Sequence, residues 1–445
     1  MRHLIKQIVG RRVWDSRGRP TVEAEVILES GARGRAIAPA GASTGSGEAL
    51  DMRDGGQHLG GYDVARAVSN VNGEIAAMLI GMDAADQQAV DGALIALDGT
   101  PQKSRLGGNS IIAVSMAVLH AAAAASGQPI WRYLANGAPV RIPVPEIQIF
   151  GGGAHAGRRV DIQDFLVVCP SARSFDEVME RTANVYRAAG NLLAEQDRRY
   201  GVADEGGWWP AFDTNEEALD LLVRSIERAG YIPGDDVWIA LDVAASEFGR
   251  NGRYTLGLEK RELDRDALGE MLVDWVTRYP ILSVEDPFAE DDKMGFQAFV
   301  AAVGHRVQVV GDDLLVTDAA RVEEAARDRL ATCVLIKPNQ AGTVTETHAA
   351  LLKAQELGLG AIVSARSGES EDTTIAHLAV GWNAGQFKVG SITRSERMAK
   401  WNEILRIEES LGYDAFAGPG ALAFSPKVSK STEQLRRGAE QDGDA

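Results

Sequence analysis

The stretch from Trp238 to Val389 constrains this chain more than any other. Six short apolar runs occur there: VWIALDVAAS, PILSVEDPF, VQVVGDDLL, TCVLIKPNQ, GAIVSARSGES and QFKVGS. At or near the end of each stands a charged residue: Asp242, Glu285, Asp312, Lys337, Arg366 and Lys388. The intervals leave room for a strand, a helix and two loops, a unit of about 30 residues. Helix-like segments fill them, among them AARVEEAARDRL and TETHAALLKAQELG. Strand, polar tip and helix in repetition predict a (β/α)₈ barrel, whose active site lies at the carboxyl ends of the strands. Three acids and two lysines, distant in sequence, are therefore expected on one face.

Ahead of the barrel, residues 3–10 and 20–29 have strand patterns; TVEAEVILES alternates polar and apolar as a half-buried strand does. A Gly/Ser-rich loop, PAGASTGSGEALDMRDGG, follows, then two or three helices up to about Gly137. Strands followed by helices predict a small α+β domain. The division expected is an N-terminal α+β domain over residues 1–137, an α/β barrel over 138–425, and a polar, disordered tail over 426–445. The boundary falls where Gly and Pro cluster in ANGAPVRIPVP.

Composition narrows the function. The 445 residues carry a net charge of −17, which disfavours nucleic acid as a partner. An anionic substrate would need local positive charge, for which the lysines, Arg366 and a bound metal are the candidates. Cys169 and Cys333 stand far apart in apolar runs, which is no disulfide or zinc pattern and fits a reducing cytoplasm. The start lacks an apolar signal core. The most apolar stretch, SIIAVSMAVLHAAAAASG, is interrupted by Ser115 and His120 and is expected to be a buried helix rather than a membrane span. His58, His305, His348 and His377 are assigned structural or surface places, since no carboxylate stands at ligand spacing.

Asp242, Glu285 and Asp312 offer hard oxygen ligands at three strand ends, a set suited to magnesium with positions left open for substrate. A lone strand-end acid more often caps a helix; three in successive barrel units, followed by Lys337, favour a metal site. Lys337 is the candidate base. To take a proton at neutral pH its pKa must fall from about 10.4 to about 7, at a cost of ~4.6 kcal/mol. Lys388 and a divalent cation are expected to supply that repulsion. Metal, lysine base and carboxylates together suit removal of a proton next to a carboxylate, through a dianion that fixed cations stabilise.

From Ile5 to about Gly412 the chain carries, in order, DSRGRPTVEAEV, GASTG, GGAHA, VDIQDF, DEGG, ALDVAASEF, EDPF, VGDDL, LIKPNQ, RSGESEDTTIA and GSITRSERMAKWNE. Over that span the sequence closely resembles the enolase family. The resemblance implies an enolase-type (β/α)₈ barrel with irregular first units behind the α+β domain, a homodimer, and magnesium-dependent interconversion of 2-phosphoglycerate and phosphoenolpyruvate. A lysine base with one or two magnesium ions is the known pattern of that superfamily. By resemblance, Asp242, Glu285 and Asp312 hold the first magnesium, and Ser43 joins the second. Lys337 takes the C2 proton, and Glu205 assists loss of the hydroxyl. Lys388 and Arg366 hold the substrate's carboxylate and phosphate, with Ser367 beside them, and His155 belongs to the site.

Five departures from the family pattern stand out. Ala365 replaces a histidine, and Asp164, a further catalytic candidate, replaces a glutamate. Pro338 follows Lys337 and biases it toward extended backbone. Pro287 stands in EDPF, and Trp208 and Trp209 replace Phe-Ala after DEGG. These changes leave proton abstraction intact and alter the leaving-hydroxyl and phosphate end. Two other functions are therefore carried beside the hydratase: a carboxyphosphonoenolpyruvate synthase-like enzyme of phosphonate biosynthesis, acting on a phosphonylated substrate, and a non-catalytic binding protein on the same scaffold.

Overall fold

A computed structural model of the chain describes residues 3–422. The tail assigned above to residues 426–445 lies outside the described residues, as does the His155 side chain.

The N-terminal part is a three-stranded antiparallel sheet, β1 (Ile5–Trp14), β2 (Pro20–Leu28) and β3 (Arg33–Ile37), in sequence order. Helix Gly108–Ser126 packs across β2 and β3. Gly34 makes that approach possible. A Cβ there would stand 2.1 Å from the Ala117 carbonyl oxygen and 2.2 Å from the Ala121 nitrogen. This is the Ala-rich stretch of the sequence. It is long and apolar enough to cross a membrane, but 83% of it is buried inside the protein, as a core helix would be.

The barrel is built from β4 (Val144–Gly151), β5 (Asp164–Val168), β8 (Trp238–Asp242), β12 (Ile281–Glu285), β13 (Gln308–Gly311), β14 (Cys333–Ile336), β15 (Gly360–Ser364) and β16 (Gly385–Ser391). They neighbour one another in that order, and β16 pairs with β4 to close the ring. The last six are the six apolar runs of the sequence. They are parallel and buried on both faces, which is why they read as continuous apolar segments. The irregular start is β5, which runs antiparallel to both β4 and β8. A hairpin, β6 (Arg199–Val202) and β7 (Trp208–Pro210), adds to β4 through Trp208, and β9 (Gly249–Arg250), β10 (Arg253–Leu256) and β11 (Arg261–Asp264) form a separate small sheet.

The barrel helices start where the sequence supplies caps. Ser174, Thr214, Asp264, Asp292, Asp318 and Thr343 each accept a backbone N–H three residues on. Cap and strand pattern together fix each strand's exit and hence the direction of its terminal side chain. The two domains are tied at the site by reciprocal backbone hydrogen bonds of 2.9 Å between Ala40 and Gly368. Cys169 and Cys333 are buried free thiols.

Candidate active site

Register explains the convergence of acids. Asp164 on β5 stands opposite Asp242 on β8, which stands opposite Glu285 on β12, so three carboxylates form one row across adjacent strands. Asp312 directly follows β13 and Lys337 directly follows β14. Lys388 lies within β16 rather than at its end, opposite Ser364. Its side chain reaches the row: Nζ lies 2.7 Å from Glu285 Oε2, 2.8 Å from Asp242 Oδ2 and 3.8 Å from Asp164 Oδ2. Lys337 Nζ lies 2.5 Å from Asp312 Oδ2, and Gln340 donates to the other Asp312 oxygen at 2.8 Å. Lys337 has extended backbone (φ −123°, ψ 111°) and Pro338 opens the short helix after it.

Charge in this buried cluster is balanced by direct pairing. Burial works against the charged form of Asp242, but the Lys388 ammonium overcomes it and holds the carboxyl below its usual range. Burial, then the nearby Asp242 charge, pushes Glu285 well above the usual range. Burial disfavours the Lys388 ammonium too, yet Asp242 and Glu285 raise its pKa well above the ordinary value. The lowered pKa expected for Lys337 is tied to a divalent cation, and the protein groups alone do not supply it. Burial lowers it, but Asp312 in contact outweighs burial, Arg366 and Lys388, and the net direction is upward. Lys388 opposes the Lys337 charge as a repulsive neighbour would, but it is itself hydrogen-bonded to Asp242 and Glu285.

The acids fit a divalent cation. Glu285 Oε1 is buried without a hydrogen-bond partner, a costly state for a carboxylate oxygen that a cation would relieve. Among the described residues, Asp286, Asp312 and Asp313 form a further group whose ligand atoms lie within 4.8 Å of one another. Asp286 takes a left-handed φ of 39° and accepts the backbone N–H groups of Asp312 and Asp313 at 2.9 and 2.8 Å. Asp312 thus belongs to this trio and also acts by its charge on Glu285 in the strand-end row.

Glu205, in the β6–β7 turn, is buried and borders one small cavity with Ala42, Ser43, Gln163, Asp164, Asp242, Lys337, Ala365, Arg366, Ser367 and Lys388. Arg366 is engaged from three sides: Glu48 at 2.8 and 3.2 Å, Asn339 Oδ1 at 3.1 Å and the Ser43 carbonyl at 2.9 Å. The buried Arg397 holds the carbonyls of Arg366 and Ser367 from behind. Arg17 Nη1 donates to Ser367 Oγ at 3.4 Å. Gln163 binds Asp242 at 3.0 Å, and Gln148 binds Asp164 on one side and the Gly207 N–H at 2.8 Å on the other. His155 belongs to the turn Gly153–Ala156.

Sequence reasoning missed Glu48, Gln163, Gln340 and Arg17. Glu48 sits in a Gly/Ser loop without periodicity, and nothing local signals that it meets Arg366 across the domain boundary.

Residues 139–423 match the family model described as enolase, C-terminal TIM barrel domain, and residues 5–134 match enolase, N-terminal domain. The chain belongs to the enolase family. It is 49% identical over 414 residues to Enolase 1 of Desulfitobacterium hafniense (strain Y51), a match covering 92% of this chain and 95% of that protein. The closed ring of eight strands and the α+β domain before it agree with this membership. It is an enolase-superfamily lyase by that relationship.

Proposed function

We propose that this protein catalyses the magnesium-dependent dehydration of 2-phosphoglycerate to phosphoenolpyruvate. The observation that carries the reading is that Lys337, Lys388, Asp164 and Asp242 border one cavity, with Glu285 and Asp312 paired to those lysines and Glu285 Oε1 left unsatisfied. Asp242, Glu285 and Asp312 would hold the magnesium, and Ser43 a second ion. Bound there, magnesium supplies positive charge for the dianion that forms when the C2 proton leaves.

Lys337 takes that proton at Nζ. Burial disfavours its ammonium and Asp312 in contact favours it, so a cation that engages the Asp312 charge would make Lys337 a better base. Glu205 and Asp164, bordering the same cavity, flank the leaving hydroxyl, and Glu205 delivers its proton. Lys388 holds the substrate carboxylate; Arg366, with Ser367 and His155, holds the phosphate. A substrate phosphate would take over Arg366 hydrogen bonds now satisfied by Glu48. A homodimer and a cytoplasmic setting complete the proposal, the latter supported by two free buried thiols.

One observation favours a related enolpyruvate chemistry as a second reading. Ala365 borders the cavity where the family has a histidine, and Asp164 shortens the adjacent acid. A carboxyphosphonoenolpyruvate synthase-like reaction would keep the enolate half and change the phosphate end. The two readings separate in one assay, the rise of enol absorbance from 2-phosphoglycerate with magnesium. Turnover within about tenfold of ~10 s⁻¹ supports the hydratase. Absent turnover that appears in Ala365→His supports the altered phosphate end, and absent turnover in both rejects it.

A further inference from the structure

The segment between β4 and β5, residues 152–163, forms a compact hydrogen-bonded loop. Gly152 N donates to the Gln163 carbonyl at 2.7 Å, Gly153 N to the Val160 carbonyl at 2.8 Å, and Arg158 N to the Gly153 carbonyl at 2.9 Å. Its last residue, Gln163, donates from its backbone to the Asp242 carbonyl at 3.0 Å, and Asp164 follows at once. The loop thus runs directly into one wall of the cavity.

Two consecutive arginines leave the loop in different directions. Arg158 Nη2 pairs with Glu247 Oε2 at 2.8 Å, an exposed contact with 63% of the Arg158 side chain accessible. Arg159 lies over two aromatic rings of the β6–β7 hairpin. Its Cζ lies 4.4 Å from the Trp209 ring centroid and 4.8 Å from that of Tyr200. The Arg159 Nη1 donor is buried without a hydrogen-bond partner, so the ring faces are what its guanidinium meets. The Trp209 ring also lies against the loop backbone. A Cβ on Gly157, whose φ is +60°, would stand 3.3 Å from the Trp209 Cζ2 atom. Trp209 is one of the two residues by which this chain departs from the family pattern after DEGG.

We propose that Arg159, held against the rings of Tyr200 and Trp209, is a positioning residue that docks the 152–163 loop and so sets the place of Gln163 and Asp164. Part of the test rests on the proposed hydratase reaction and part does not. A stacked guanidinium is stabilised enough to shift a docking equilibrium about 5- to 30-fold when a ring is lost. Arg158 and Arg159 are themselves trypsin sites, so loop release is readable without any activity.

The experiment is limited tryptic digestion of the native full chain, of Trp209→Ala and of Trp209→Phe, with cleavage at 158–159 followed by mass spectrometry. Cleavage is expected to rise about 5- to 30-fold in Trp209→Ala and less in Trp209→Phe, where a ring face remains. Tyr200→Ala, at a position 58% exposed and outside the core, serves as the second variant should the tryptophan variant fail to fold. Turnover of 2-phosphoglycerate is expected to fall in the same order, through kcat more than KM. An increase in cleavage under about threefold in both ring variants overturns the proposal. So does faster cleavage with unchanged turnover, which would leave an anchor that positions nothing. A parent chain without turnover would count against the hydratase alone, and the cleavage ratio would then decide for the Arg159 contact.

Discussion

Replacing Glu146 by glutamine tests the electrostatics of the barrel interior. Glu146 lies on β4 in register with Lys388 and is fully buried. Burial pushes its carboxyl up to about 7, although Lys388 and Ser283 favour the charged form. In the unfolded chain the same group titrates near 4.5. Between those values the folded chain keeps a proton that the unfolded chain releases. The resulting stability is complete below about 4.5 and is lost as pH rises through about 7. The span corresponds to about 3 kcal/mol, with no reduction for solvent screening because the group is buried. Glutamine keeps the size and a donor but cannot ionise. Urea unfolding of both chains from pH 4.5 to 8, at one protein concentration, should show Glu146→Gln gaining about 3 kcal/mol over the parent by pH 8. Parallel stability curves for the two chains would refute the reasoning, since Glu146 would then titrate alike in both states.

Other perturbations follow from the same contacts. Burial lowers His377 to about 4 despite Glu403, with His120 also opposing its charge and Asp372 favouring it. Its contribution is present above the unfolded value of 6.5 and is lost as pH falls to about 4, so His377→Gln should flatten the acid limb by about 3 kcal/mol in acid-unfolding curves. Asp292 is buried, accepts the Tyr254 hydroxyl at 2.8 Å and Arg265 at 2.5 Å, and caps the helix at Gly295. Asp292→Ala should cost about 3 kcal/mol in denaturant midpoints, because it strands a guanidinium and a phenol; a loss under about 1 kcal/mol would contradict that.

Much of the fold is legible in the sequence because parallel strands covered on both faces must be apolar throughout, which marked six of the eight barrel strands. The direction of β5 was not legible. VDIQDFLVVCP has the same apolar character whichever way it runs, and only its pairing with β4 and β8 decides. β3 is equally hidden, since RGRAI alternates arginine with small residues. The site residues could be named from strand ends and family motifs, but their charge state could not. Whether Lys337 is raised or lowered depends on a 2.5 Å contact with Asp312, a distance no spacing encodes. Glu48 needs both domains in place before it meets Arg366.

The central claim is that Lys337 removes the C2 proton of 2-phosphoglycerate in a magnesium-dependent cavity. Incubation of substrate and protein in deuterated water, followed by proton NMR of the C2 position, measures this directly. The account predicts loss of the C2 proton signal with magnesium, its persistence after chelation, and a rate lowered at least about a hundredfold in Lys337→Ala. Exchange that continues undiminished in Lys337→Ala, or no exchange in the magnesium-loaded parent, would contradict it.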